Sequence, residues 1–230
     1  MTTNSTTALD AQSLAKDYGD GPALYPLTLR IEHGEKIALI GHNGSGKTTF
    51  LRMCTGLLDP ASGSVSVYGN RPGSLEARRA LSYLADTPTF YDDLSVWEHL
   101  EYTARLHETP DWQQKAADLL GALGIYERAD DLPSRFSRGL KQKAAIAIAF
   151  VRPFKVLLVD EPFVGLDADG KEALLDLFDE ASTSGATLVV ATHELSFVSR
   201  TTRTVALRDG RLIFDGSSAD AGARGLVAAE

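Results

Sequence analysis

The sequence has little of what marks secreted or membrane-spanning proteins. Its 230 residues include one cysteine, Cys54, so no disulfide can form within the chain. The longest uninterrupted apolar run, Ala144 to Val151, is far too short to cross a bilayer. The opening residues, MTTNSTTALD, lack the basic and apolar regions of a secretion signal. We therefore expect a protein that works in the cytosol.

Basic residues are also fewer than acidic ones. The chain has 23 Lys and Arg against 31 Asp and Glu, a net charge of -8, which disfavours strong attraction to nucleic acid. We expect no nucleic-acid partner. Hydrophobic residues make up 43% and charged residues 23%, as in soluble globular proteins. The length suits one domain, or one domain with an inserted subdomain.

Short apolar segments alternate with longer helical ones, which predicts an α/β fold with a mainly parallel sheet. Three segments are apolar enough to be buried central strands: Glu35–Gly41, Lys155–Glu161 and Ala186–Glu194. Two more, Gly63–Asn70 and Arg211–Gly216, have the pattern of strands that end in turns.

Between Asp86 and Arg152 the pattern becomes helical. SVWEHLEYTARLHE and DWQQKAADLLGALGI carry apolar residues at helical spacing, with Pro110 between them, and SRGLKQKAAIAIAFV adds a third helix. We therefore predict one unit with a core of residues 1–85 and 154–230 and a helical subdomain, residues 86–153, inserted between core strands.

The segment GHNGSGKTT follows a predicted strand, precedes a predicted helix and fits the phosphate-loop pattern G-x-x-x-x-G-K-[ST]. The glycines allow backbone N–H groups to converge on phosphate oxygens. Lys47 would contact the β- and γ-phosphates, and the Thr48 hydroxyl would ligate Mg²⁺. The predicted nucleotide-binding residues here are Gly41, His42, Asn43, Gly44, Ser45, Gly46, Lys47, Thr48 and Thr49.

Two adjacent carboxylates end the apolar strand VLLV. Asp160 emerges at the C-terminal edge of the sheet, where α/β proteins bind ligands, and would hold Mg²⁺. Glu161 would orient and polarise the attacking water. An isolated Asp-Glu pair can also be a surface cap, but the strand and the phosphate loop favour the catalytic interpretation.

His193 follows the predicted strand TLVVAT and should lie on the same edge. There it would contact the γ-phosphate and steady the water held by Glu161. A lone histidine is more often structural, and the other four histidines of the chain receive that interpretation. We favour a catalytic role for His193 because of its position.

In their order along the chain, GHNGSGKTT, FSRGLKQK, VLLVDEP, VGLD and ATHE resemble the nucleotide-binding subunit of ABC transporters. The resemblance covers nearly the whole chain. It implies the P-loop NTPase fold of an ABC cassette: a mainly parallel sheet, an N-terminal antiparallel β subdomain and an inserted helical subdomain. It also implies ATPase activity with ATP and Mg²⁺.

In that family two cassettes pack head to tail and enclose ATP between the phosphate loop of one and the signature loop of the other. The segment FSRGLKQK matches the signature loop, so Ser137 and Gly139 would bind the γ-phosphate of the partner's ATP. Tyr18 matches the aromatic residue that stacks on adenine. Asp167 in VGLD matches the loop that crosses the dimer interface, and it is also a candidate helix N-cap.

Three positions depart from the family pattern. The signature is usually Leu-Ser-Gly-Gly-Gln, whereas this chain has FSRGL, a form that resembles bacterial drug- and polyketide-exporter cassettes. Asp86 stands where the family has a glutamine that touches Mg²⁺ and the attacking water. Our hypothesis is that Asp86 keeps the metal contact and changes the rate or the coupling. Val164 replaces a common serine.

The resemblance thus implies an ATPase subunit that pairs with a second cassette, as a homodimer or with a close paralogue. It would drive a separate integral membrane permease, an exporter, from the inner face of the cell membrane. Two alternatives stay open: a soluble ABC ATPase that acts on ribosomes or DNA, and a cassette with impaired hydrolysis that acts as a regulatory partner.

Overall fold

A computed structural model describes residues 6–19 and 21–226. Within those ranges the strands are β1 (Thr7–Asp17), β2 (Pro22–Glu32), β3 (Lys36–Ile40), β4 (Ser62–Val67), β5 (Leu81–Leu84), β6 (Val156–Asp160), β7 (Thr187–Ala191), β8 (Arg203–Arg208) and β9 (Arg211–Ser217). The helices are α1 (Lys47–Thr55), α2 (Leu75–Ala80), α3 (Val96–Leu106), α4 (Trp112–Ala122), α5 (Arg138–Val151), α6 (Ala168–Thr183), α7 (Leu195–Val198) and α8 (Ser218–Ala223).

Two sheets organise the molecule. The larger has the order β5-β6-β7-β3-β8-β9, in which every neighbouring pair is parallel except β8 and β9. The smaller, β2-β1-β4, is antiparallel. The predicted α/β fold, with a mainly parallel sheet and an N-terminal antiparallel β subdomain, is confirmed. The predicted central strands differ from β3, β6 and β7 by one to three residues at their ends.

The central strands are apolar throughout because both faces of the larger sheet are covered. Along β6, Leu157 and Val159 belong to a core shared with α3 to α6. Their neighbours Val156 and Leu158 belong to a second core, shared with α1 and the smaller sheet. The alternation fixes the register of the strand and so the direction in which its last residue points.

The chain between β5 and β6 carries the three helices α3, α4 and α5. The capping box of Ser95 and Glu98 begins α3, and the Ser137 side chain caps α5. The proposed boundaries of a helical subdomain at 86 and 153 stay a prediction. These helices bring the start of α5 back towards the C-terminal edge of the sheet.

Arg152 ties the end of α5 to the edge of the larger sheet. Its buried guanidinium donates hydrogen bonds to the carbonyl oxygens of Leu81 (2.8 Å), Arg78 (2.7 Å) and Arg79 (3.0 Å). Burial lowers its pKa to about 10. The side chain thus pairs with two carbonyl groups at the end of α2 and with one at the start of β5.

We predict that Arg152→Met lowers the free energy of unfolding by about 2–3 kcal/mol, because the buried Leu81 carbonyl and two part-buried carbonyls of α2 lose a charged donor. Arg152→Lys should recover only part of this loss, since a single ammonium cannot reproduce the planar fork. Chemical denaturation measures both. An Arg152→Met variant as stable as the wild type would contradict the prediction.

Candidate functional site

The phosphate loop joins β3 to α1 and depends on glycine at two points. Gly41 has φ +149°, and a Cβ there would collide with the carbonyl oxygen of Leu207. Gly46 has φ +104° and is the N-cap of α1, with no side chain capping the helix. The first turn of α1 contains no acidic residue. Its N–H groups therefore offer an anion site.

Lys47 is buried at the first position of α1. Its Nζ donates hydrogen bonds to the carbonyl oxygens of Gly41 (2.5 Å) and His42 (3.4 Å). The same atom lies 3.3 Å from Glu161 Oε1, within ion-pair distance but outside hydrogen-bond geometry. The lysine thus connects the loop to the carboxylates at the end of β6.

Asp160 is the last residue of β6 and is 1% exposed. Neither of its carboxylate oxygens has a well-aligned hydrogen-bond partner in the described structure. Burial raises the pKa of this carboxyl; the Glu161 and Asp86 charges add to the rise, while the Thr48 hydroxyl and Lys47 oppose it. An unpaired buried carboxylate is costly, so the position favours a cation.

Glu161 follows directly and has a strained backbone. Its φ of +45° is unusual for a residue with a side chain. Its N–H donates to the Ala191 carbonyl at 2.8 Å, which links the end of β6 to the end of β7. His193 Nδ1 lies 3.2 Å from Glu161 Oε2. The Glu161 carboxylate therefore sits between Lys47 and His193.

These elements border one open cavity of about 530 Å³. Most of the predicted site residues line it: Asn43, Gly44, Ser45, Gly46, Lys47, Thr48, Thr49, Asp86, Asp160, Glu161 and His193. Ala23, Val164 and Arg138 also line it, and they were not among the predicted site residues. Ala23 belongs to the antiparallel sheet, and no motif in the sequence points to it.

Five predicted site residues lie outside this lining. Gly41 lies against the Leu207 carbonyl and the Ser45 side chain. His42 Nε2 lies 3.1 Å from Asp209 Oδ1. Tyr18 is 58% exposed, on the chain after β1. Ser137 is an exposed N-cap, which accepts a hydrogen bond from the Leu140 N–H. Gly139 packs against the Gly165 carbonyl so closely that a Cβ would collide with it.

The residue after Glu161 begins a turn that is tied to α5. The buried Gln142 donates to the Pro162 carbonyl at 3.1 Å. Lys143 Nζ lies 2.9 Å from Asp167 Oδ1. Asp167 is also the N-cap of α6, where it accepts a hydrogen bond from the Gly170 N–H at 3.0 Å. The start of α5 and the turn at 162–167 are thus held together.

The cavity fits a nucleoside triphosphate with Mg²⁺. Helix N–H groups and Lys47 suit phosphates, and the Asp160 carboxylate and Thr48 hydroxyl are oxygen donors that suit Mg²⁺. Among the described residues, no group of three His, Cys, Asp or Glu side chains could hold a metal ion alone.

Taken together, the sheet order, the glycine-rich loop before α1 and the paired carboxylates after β6 define a phosphate-loop nucleoside triphosphatase. A family model described as "ABC transporter" matches residues 24–164. The chain therefore belongs to the ABC transporter family, as its ATP-binding ATPase subunit.

Known ABC proteins are similar to this chain over most of its length. It is 34% identical to the SkfA peptide export ATP-binding protein SkfE of Bacillus subtilis (strain 168), over 90% of this chain and 88% of the relative. It is also 34% identical to the phosphonates import ATP-binding protein PhnC of Shigella sonnei (strain Ss046), over 92% and 90%. A solved ATP-binding subunit of an ABC transporter aligns with a TM-score of 0.87 and 33% identity, over 97% and 96%.

We predict that Asp160→Asn stabilises the nucleotide-free protein by about 1 kcal/mol, because it removes a buried charge that has no well-aligned hydrogen-bond donor among the described residues. Thermal unfolding should show a rise in Tm of roughly 2–4 °C. ATP with Mg²⁺ should then raise the Tm of the wild type more than that of the variant.

The matched control is Asp92→Asn, at an exposed carboxylate, which should stay within about 0.5 kcal/mol of the wild type. A nucleotide-free Asp160→Asn protein that unfolds below the wild type would show that the carboxylate is satisfied as it stands.

Proposed function

We propose that this ATPase subunit dimerises around two ATP molecules and powers a separately encoded membrane permease. The observation that carries the proposal is the convergence of Lys47, Asp160, Glu161 and His193 in one cavity. The last three lie at the C-terminal ends of β6 and β7. Such a set stabilises phosphate charge and activates water at the same place.

ATP would enter with its phosphates against the N-terminus of α1. Lys47 would leave its carbonyl partners for the β- and γ-phosphates, which compete well for an ammonium group because they are charged. Tyr18 would stack on adenine, for which its exposed ring is accessible. Lys16 Nζ, 5.5 Å from the centre of that ring, would add positive charge beside the base.

Thr48, Asp160 and Asp86 would face the metal. Mg²⁺, when bound there, would neutralise part of the phosphate charge. The unpaired oxygens of Asp160 support this assignment. Asp86 lines the cavity with a side chain that is 45% exposed, so it would act at the outer side, directly or through water.

Glu161 would act as the general base for the attacking water. Its strained backbone supports the assignment, since strain of this kind is concentrated at functional sites. His193, 3.2 Å away, would hold the carboxylate and contact the γ-phosphate. Once Lys47 turns to the phosphates, Glu161 Oε1 is free to accept a proton.

A second cassette would complete each site. Ser137 and Gly139 lie outside the cavity of their own chain, and Ser137 is exposed at the N-terminus of the 14-residue helix α5. That helix end would face the γ-phosphate of the partner's ATP. The contacts of α5 with the turn at 162–167 support a role for Asp167 in coupling the two sites.

The partner that uses this ATPase would be an integral membrane permease, with the subunit bound at the inner face of the membrane. None of the described helices is long and apolar enough to span a bilayer. Relatives carry the names of a peptide exporter, a macrolide exporter and a phosphonate importer. We propose export, which the signature form FSRGL and the SkfE relative support.

We predict that Glu161→Gln lowers the hydrolysis rate by at least about 100-fold and leaves ATP binding intact, since only the base is lost. With ATP, the variant should elute as a dimer in size-exclusion chromatography with light scattering. Isolated with ATP from detergent-solubilised membranes, it should bring down a multi-span protein that mass spectrometry identifies.

The controls are Glu172→Gln, at an exposed carboxylate on α6, which should hydrolyse ATP normally, and Lys47→Ala, which should lose ATP binding. Ribosomal or DNA-bound partners, with nothing from the membrane, would reject the transporter in favour of a soluble ABC ATPase. A wild type that binds ATP without single-turnover hydrolysis would favour the regulatory cassette.

A further inference from the structure

The candidate nucleotide cavity has an unfavourable charge balance for an anionic ligand. Three carboxylates line it: Asp86, Asp160 and Glu161. Among the described lining residues the lysine and arginine side chains are two, Lys47 and Arg138. Without Arg138, one permanent cation would face three carboxylates and an incoming triphosphate. Arg138 therefore carries half of the permanent positive charge of the lining.

The fold directs Arg138 into the cavity. Arg138 is the first residue of α5, and its stem crosses Gly165, where an added Cβ would lie 3.4 Å from Arg138 Cγ and 3.5 Å from Cδ. The tight contact of Gly139 with the Gly165 carbonyl fixes where this stem starts. The guanidinium then reaches Asp86, with Nη2 3.9 Å from Oδ1.

The Arg138–Asp86 pair is loose and exposed. The two side chains are 69% and 45% exposed, and Asp86 Oδ2 also accepts a long hydrogen bond from Thr87 Oγ1, at 3.4 Å. An exposed ion pair at this distance contributes little to stability. At the rim of an anion site, however, the same charges act on every ligand that enters.

We infer that Arg138 acts on the nucleotide cavity of its own chain: its charge offsets that of Asp86 in the lining and thereby raises the affinity of the cavity for nucleotide phosphates. The inference rests on the proposed function, because it concerns the same site. It differs from the role proposed for Ser137 and Gly139, which act on the partner's nucleotide.

The test is a double-mutant cycle on ATP binding, with and without Mg²⁺, by calorimetry at low ionic strength. The variants are Arg138→Ala, Asp86→Asn and the double variant. We expect Arg138→Ala to weaken ATP binding roughly two- to fivefold, the range of an exposed ion pair, and the loss to shrink as salt is added. Without Mg²⁺, Asp86→Asn alone should strengthen ATP binding by a similar factor, and the double variant should bind like the wild type, because the two charges act additively on the phosphates.

Two further variants separate charge from structure. Arg138→Lys keeps the charge and should bind ATP within about twofold of the wild type. Arg135→Ala removes an exposed arginine that lies three residues earlier and outside the cavity lining, and should leave affinity unchanged. Equal Tm values for Arg138→Ala and Arg135→Ala would show that both variants are folded.

Three results would overturn the inference: Arg138→Ala binds like Arg135→Ala, or Asp86→Asn fails to compensate for the loss in the double variant without Mg²⁺, or Arg138→Lys fails to restore affinity. A failure of the proposed function would look different: Glu161→Gln protein with ATP would neither form a dimer nor bring down a membrane protein. If the wild type binds ATP, Lys47→Ala does not and Arg138→Ala behaves as wild type, the further inference alone fails.

Discussion

The structure depends on a buried charge whose oxygens have no well-aligned hydrogen-bond partner among the described residues. Asp160 is buried at the end of β6, and its oxygens have no aligned donor among the described residues. The cost of such a carboxylate is large unless a cation compensates it. The neighbouring lysine, Lys47, is engaged by carbonyls and by Glu161 instead. The free protein thus holds separate positive and negative groups, which a phosphate–Mg²⁺ ligand would bring into balance.

Packing on both faces of β6 holds the Asp160 carboxylate in its buried position. Alternating residues of β6 are buried in two different cores, so the strand cannot turn Asp160 towards solvent without exposing apolar surface. Glu161 is held in its strained backbone by its bond to Ala191. The side of the site formed by Asp86 and Arg138 is more open and more exposed. We infer that the inner groups fix the chemistry, while the outer pair adjusts how tightly the cavity binds nucleotide.

Sequence patterns could predict the parts of this site that are local. The glycine spacing of the phosphate loop and the apolar run before Asp160 each encode a turn or a buried strand within a few residues. The antiparallel subdomain was predicted only from the family resemblance, because the alternation of buried and exposed residues in β1 and β2 is interrupted. The approach of Arg138 to Asp86 and the carbonyl partners of Arg152 were not predictable, since both depend on how α5 returns across the sheet.

The most direct test of the account mixes two defective proteins. Lys47→Ala removes the phosphate-loop cation, and Ser137→Asp keeps a side chain that can cap α5 but places a negative charge towards the partner's phosphates. Each protein alone should hydrolyse ATP poorly. If two chains share each site, a mixed dimer contains one intact site, so hydrolysis should appear on mixing. A mixture as inactive as its components, with dimers shown by light scattering, would contradict the shared site.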